Sequence, residues 1–90
     1  MIAKHIIVKG KVQGVFFRKN TKRIAEELNI TGWVKNTDDG NVEILAQAEA
    51  DVLEKFINWC RQGPPNASVE GVEVQDAEAD AAIKIFSIHH

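Results

Sequence analysis

The sequence predicts a ferredoxin-like α+β sandwich, with element order βαββαβ and one further C-terminal strand. Two observations lead there. Two amphipathic helical patterns each follow a strand-like run, and each is followed by two more such runs. The middle pair of strands is joined by Asp38-Asp39-Gly40-Asn41, an Asp-Gly hairpin turn. Two helices on one face of a mainly antiparallel sheet, with right-handed split βαβ crossovers, satisfy that order.

The elements follow in turn. Residues 4–9 read as a strand because Ile6, Ile7 and Val8 are β-branched and glycines soon follow. Their continuous apolar run suits a central strand. Residues 10–16 are a loop, with Gly10 and Gly14 four apart. A helix is expected over residues 17–29, where Phe17, Thr21, Ile24, Ala25 and Leu28 recur at three- and four-residue spacing and Asn29 is the stop. Residues 31–37 form the second strand and residues 42–48 the third. In the third, Val42, Ile44, Ala46 and Ala48 share one face, with Glu43 and Gln47 on the other. Residues 51–62 make the second helix, with Val52, Leu53, Phe56, Ile57, Trp59 and Cys60 as its apolar face. Asp51 with Glu54 resembles a capping box; Gly63 ends the helix and Pro64-Pro65 prevent its continuation. Val69, Val72 and Val74 mark a fourth strand, residues 76–80 an acidic turn, and residues 83–88 a fifth strand.

Ninety residues suit one domain, here residues 1–90, which buries roughly 60–70% of its unfolded surface. The chain is 44% apolar and 27% charged, an ordinary globular mixture that excludes disorder and low complexity. The longest aliphatic run, Ile6-Ile7-Val8, is far below a membrane span, and no secretory signal is evident, so a cytoplasmic protein is expected. Cys60 is the sole cysteine, which excludes an intrachain disulfide. A monomer is expected.

Charge is unevenly placed. The first 23 residues carry Lys4, Lys9, Lys11, Arg18, Lys19, Lys22 and Arg23 and no acid; the rest carries four cations and thirteen acids. An acidic body lacks the broad positive surface of a nucleic-acid binder, whereas a local basic segment suits a small anion. The loop from Gly10 to Arg18 lies inside that segment, between a strand and a helix start. Glycines there let backbone N–H groups approach a ligand, the helix start adds partial positive charge, and Arg18 can grip two phosphate oxygens. The same residues are also compatible with an ordinary turn and a surface arginine. No nucleotide P-loop, no dinucleotide fingerprint and no loop cysteine is present. Cys60, on the apolar face of the second helix, is read as a packing residue. His5, His89 and His90 have no metal-ligand spacing, and the sequons at Asn29 and Asn66 are read as unused without an export signal.

The segment Gly10-Lys-Val-Gln-Gly-Val-Phe-Phe-Arg18 resembles the acylphosphatase signature G-x-V-Q-G-V-x-F-R. Gly32-Trp33-Val34-Lys35-Asn36 with Asp39-Gly40-x-Val42, then Gly63-Pro64-Pro65 with Val69 and Val72, and Phe86-x-Ile88, are similar to the later blocks of that family. The resemblance implies the ferredoxin-like fold and hydrolysis of a carboxylate–phosphate mixed anhydride to a carboxylate and inorganic phosphate. It places the phosphate-binding arginine at Arg18 and the loop amides at Gln13, Gly14, Val15, Phe16 and Phe17. The water-positioning asparagine falls at Asn36. It implies no metal, no cofactor and no covalent intermediate.

The implied chemistry is consistent with so spare a site. A carboxylate leaves without a proton, because its conjugate acid has a pKa of about 4. A general acid is therefore unnecessary, and no His or Glu is evident around Arg18 and Asn36 for that role. Asn36 is otherwise a residue that starts a turn, and Gln13 is otherwise a tie between the loop and neighbouring backbone. Trp33, Trp59, Phe56 and Phe86 are read as core. The chain departs from the family pattern in three places. Gln47-Ala48 replaces a frequent glycine. His89-His90 replaces a frequent terminal tyrosine, a change expected to touch strand anchoring and leave the site intact. Phe16 puts a large ring at a variable position. RNA-recognition domains share the layer order, yet residues 5–9 and 42–48 hold no aromatic residue on which bases could stack. Metal-carrier domains need a C-x-x-C that is absent. The other function class is a phosphate-binding module of the same fold without turnover.

Overall fold

A computed structural model describes all 90 residues, Met1–His90. The elements run β1 (Ile2–Lys11), α1 (Phe17–Glu27), β2 (Thr31–Asn36), β3 (Val42–Ala48), α2 (Ala50–Gln62), β4 (Ser68–Ala77) and β5 (Phe86–His89). They build one sheet in the order β4-β1-β3-β2-β5. Neighbours are antiparallel except β2 and β5, which pair in parallel from Gly32↔Phe86 to Lys35↔His89. The two helices cover one face, as the pattern predicts.

The core lies between that face and the helices. Ile6 and Val8 of β1, Val34 of β2, and Val42, Ile44 and Ala46 of β3 meet Phe17 and Ala25 of α1 and Leu53, Phe56 and Cys60 of α2. Phe56 packs edge-on to Phe86 with ring centroids 6.3 Å apart, which joins α2 to β5. Cys60 is buried, and burial pushes its thiol up to about 12. The unfolded thiol ionises near 9.0, so the folded state holds its proton more tightly. Stability is thus unaffected by this group below pH 9 and falls as pH rises from there toward 12. Denaturant midpoints of the wild type are expected to decline in that range, with a shallower decline in Cys60→Ala.

Several boundaries differ from the sequence reading, each for a local reason. β1 is longer at both ends because it is paired on both sides, from Ile2↔Ala48 with β3 to Lys11↔Ser68 with β4. α1 stops at Glu27, two residues early. Asn29 takes φ 57°, and Ile30 N–H reaches back to the Ala25 carbonyl at 2.8 Å, a left-handed helix end. The Asp51/Glu54 capping box is not formed: the helix begins at Ala50 with Glu49 as its N-cap and no side-chain cap, leaving Asp51 in the first turn. Asp76 and Ala77 are strand, not turn, because Asp76 lies opposite Lys4 on β1 and pairs with its ammonium group.

β5 starts at Phe86 rather than 83, because Ile83 N–H bonds the Asp80 carbonyl and closes a turn over residues 80–83. Gln47 points away from the helices as expected, yet it is 1% exposed. Its amide donates to Thr31 Oγ1 and to the Asp80 carbonyl, both at 3.1 Å, and accepts from Asp80 N–H, so the residue 80 turn covers it. Trp33 is half-buried on the open face rather than in the core, stacked on His89 with centroids 5.4 Å apart.

Candidate active site

The loop between β1 and α1 has two residues at positive φ, Gly14 at 72° and Phe16 at 62°. Phe16 serves as N-cap of α1 without a side-chain cap bond, and the first turn of the helix carries no acid. None of the main-chain N–H groups of residues 13–19 donates to a main-chain carbonyl. The left-handed Phe16 followed by the helical Phe17 is the arrangement that turns successive amides toward an anion. The helix dipole adds to that field, with no acidic neighbour to cancel it.

A cavity of about 330 Å³ opens at this loop, lined by Gly14, Phe16, Arg18, Lys19, Asn36 and His90 among others. Arg18 comes from the first turn of α1 and Asn36 from the last residue of β2. They are 18 positions apart in the chain, and the sheet brings both to one rim. The basic N-terminal segment resolves into two groups. Lys4, Lys9 and Arg23 pair with Asp76, Glu73 and Glu27. Lys11, Arg18, Lys19 and Lys22 have no carboxylate partner, and of these Arg18 and Lys19 line the cavity and leave it positive.

Gln13 does not turn its side chain to the cavity. Its amide donates to the Thr37 and Asn41 carbonyls, each at 2.8 Å. Those carbonyls flank the β2–β3 turn. The turn is tightened further by Asn41 N–H to Thr37 Oγ1 at 3.0 Å and by the Thr37 hydroxyl, which donates to Asp39 and holds its carboxyl below the usual range. Gln13 therefore ties the loop that carries the free amides to the hairpin that follows Asn36.

Arg18 is held from the opposite side. Its Nη1 donates to the His89 carbonyl at 3.0 Å and to His90 Nδ1 at 3.2 Å. Those two bonds use both hydrogens of Nη1, which leaves the Nε–H and Nη2–H edge for a bidentate grip. A guanidinium only donates, so His90 Nδ1 accepts and bears no proton in this arrangement. Two expectations are corrected here. An imidazole does stand beside Arg18, although the nitrogen facing the guanidinium is not an acid. The His89-His90 ending also touches the site directly instead of leaving it unaffected. Its anchoring is supplied by Trp33, whose ring stacks on His89 and lies 5.5 Å from Lys35 Nζ. Val12, Lys19, Ile88 and His90 were missed as cavity residues. Lys19 follows Arg18 in the first helical turn, which was a usable signal; Ile88 and His90 arrive only through the parallel β2–β5 pairing.

A family model described as Acylphosphatase matches residues 4–88. The chain belongs to the acylphosphatase family. It is 55% identical over 83 residues to the acylphosphatase of Shewanella amazonensis, which covers 92% of this chain and 91% of that one. The crystal structure of the Bacillus subtilis acylphosphatase superposes with a TM-score of 0.95 at 38% identity, covering all of both chains. The acylphosphatase structure from Coxiella burnetii gives 0.90 at 40% identity, over 98% of this chain and 92% of that one. In this chain the parallel edge strand β5 of the five-stranded sheet carries the His89 carbonyl that holds Arg18.

Proposed function

We propose that this chain hydrolyses acyl phosphates to a carboxylate and inorganic phosphate without a metal ion. One observation carries the reading: a run of unpaired backbone amides at residues 13–19 shares one cavity edge with an arginine free of carboxylates and an asparagine. The amides of Gln13, Gly14, Val15, Phe16 and Phe17, with Arg18, hold the three non-bridging oxygens of the phosphoryl group. Phosphoryl transfer passes through a loose transition state, so positioning and charge stabilisation supply most of the catalysis. The Asn36 side-chain oxygen aims a water at phosphorus. An O–P bond forms from that water as the P–O bond to the acyl group breaks. The carboxylate leaves as an anion, and the water proton passes to a phosphoryl oxygen of the substrate itself. An ester of an ordinary alcohol is a poor substrate, because its alkoxide needs an acid or a metal to depart.

The chain is further read as a cytoplasmic monomer that does not bind nucleic acid. The central strands β1 and β3 present no Phe, Tyr or Trp ring to a base, and His5 of β1 is paired with Glu43.

The test is hydrolysis of benzoyl phosphate, followed by ultraviolet absorbance with and without chelator. Activity is expected in both, and inorganic phosphate is expected to inhibit competitively. Asn36→Ala is expected to lower kcat about 10²–10³-fold with KM little changed, as for loss of one aligned catalytic group. A rise in KM alone would remove Asn36 from the role of water orienter. Phosphate binding with no turnover would leave a silent anion-binding module.

A further inference from the structure

We propose that Phe16 selects the acyl half of the substrate, favouring acyl phosphates with a flat aromatic or large apolar group next to the carboxyl. The inference rests on the hydrolytic reading above and concerns the same cavity. Phe16 and Phe17 are adjacent and go opposite ways. Phe17 is 2% exposed and packs on Trp59 with centroids 5.5 Å apart, whereas Phe16 is 71% exposed. The Phe16 ring therefore contributes little burial to the fold.

Its backbone is also costly. Phe16 stands at φ 62°, a conformation that Asn or Gly adopts more readily than a residue with a large side chain. Asn20 holds it there by donating twice to the Phe16 carbonyl, from N–H at 3.1 Å and from its side-chain amide at 2.9 Å. A strained position with an exposed aromatic ring has no stability rationale, and such outliers gather at ligand sites. Phe16 lines the cavity of Arg18 and Asn36, and Ile88, half-buried, is the apolar residue that reaches it from β5. The phosphoryl group fills the part of the cavity near the loop amides and Arg18. The acyl substituent projects from it past Phe16. A ring there offers a stacking surface to an aryl group and almost nothing to a methyl group.

The experiment compares kcat/KM for benzoyl phosphate and acetyl phosphate in the wild type, Phe16→Asn, Phe16→Gly and Phe16→Tyr. Asn and Gly tolerate the positive φ, so they remove the ring without adding strain. The ratio of the two values cancels changes in the phosphoryl site common to both substrates. The benzoyl-to-acetyl ratio is expected to fall about three- to tenfold in the Asn and Gly variants and to be retained in Tyr. Thermal unfolding of Phe16→Gly is expected at or above the wild-type temperature. An unchanged ratio in Asn and Gly, with both substrates still turned over, overturns this inference alone. A wild type that hydrolyses neither substrate overturns the hydrolytic reading, and this inference with it.

Discussion

Arg18→Ala is expected to lower kcat/KM for benzoyl phosphate about 10³–10⁵-fold, the range for removal of an arginine that neutralises transferring phosphoryl oxygens. The loss should appear in both binding and rate, because the guanidinium meets the phosphoryl group before and during transfer. Arg18→Lys keeps the charge and forfeits the planar fork, so a loss of about 10²-fold is expected. The fold should survive both changes. Arg18 contacts only the His89 carbonyl and His90 in its polar interactions, and neither bond is buried. The measurement is steady-state kinetics together with thermal unfolding in rising phosphate. Wild-type Tm should climb with phosphate while the Arg18→Ala curve stays flat, since only a ligand that binds the native state stabilises it. Turnover by Arg18→Ala within tenfold of wild type would remove the guanidinium from the centre of the mechanism.

The largest effect on stability is expected at Gly32, far from the reacting atoms. Gly32 has φ 142°, and a Cβ there would lie 1.8 Å from the Leu45 carbonyl oxygen and 2.8 Å from its carbon. Both are backbone atoms of the neighbouring strand and cannot swing aside. Gly32→Ala is expected to cost about 3 kcal/mol or more, through strain at that φ and displacement of β2 from β3. For a domain of this size that lowers Tm by roughly 12–24 °C. Gly40→Ala is the contrast. Its φ is 92°, yet nothing lies within 4 Å of the added carbon, so its expected loss is only about 1–2 kcal/mol. Equal Tm losses for the two variants would show that φ strain alone matters and that the close approach of Leu45 does not. Gly32 N–H also donates toward the other edge, to the Ile85 carbonyl at 3.0 Å. Displacing β2 therefore loosens β5, and with it the His89 carbonyl that steadies Arg18.

The layer order, the hairpin and both helix faces were legible because each rests on local periodicity: alternation in residues 42–48, three- and four-residue spacing in α1 and α2, and Asp-Gly at the turn. Arg18 and Asn36 were singled out through a resemblance, and the fold brings both to one cavity. The errors lie where non-local partners override local preference. Asp76 reads as turn until Lys4 is placed opposite it. Gln47 reads as a surface amide until the residue 80 turn folds over it. Trp33 reads as core until the sheet leaves one face open.

Composition and spacing were thus sufficient for the elements and their order, because hydrophobic period and turn residues are properties of contiguous chain. Sheet pairing added what contiguity cannot carry. The parallel β2–β5 contact brings His89 and His90, 71 and 72 positions away, onto the arginine, and the Gln13 amide ties its loop to carbonyls 24 and 28 positions away. Such contacts depend on which strand ends meet in space, and no local pattern of residues encodes that.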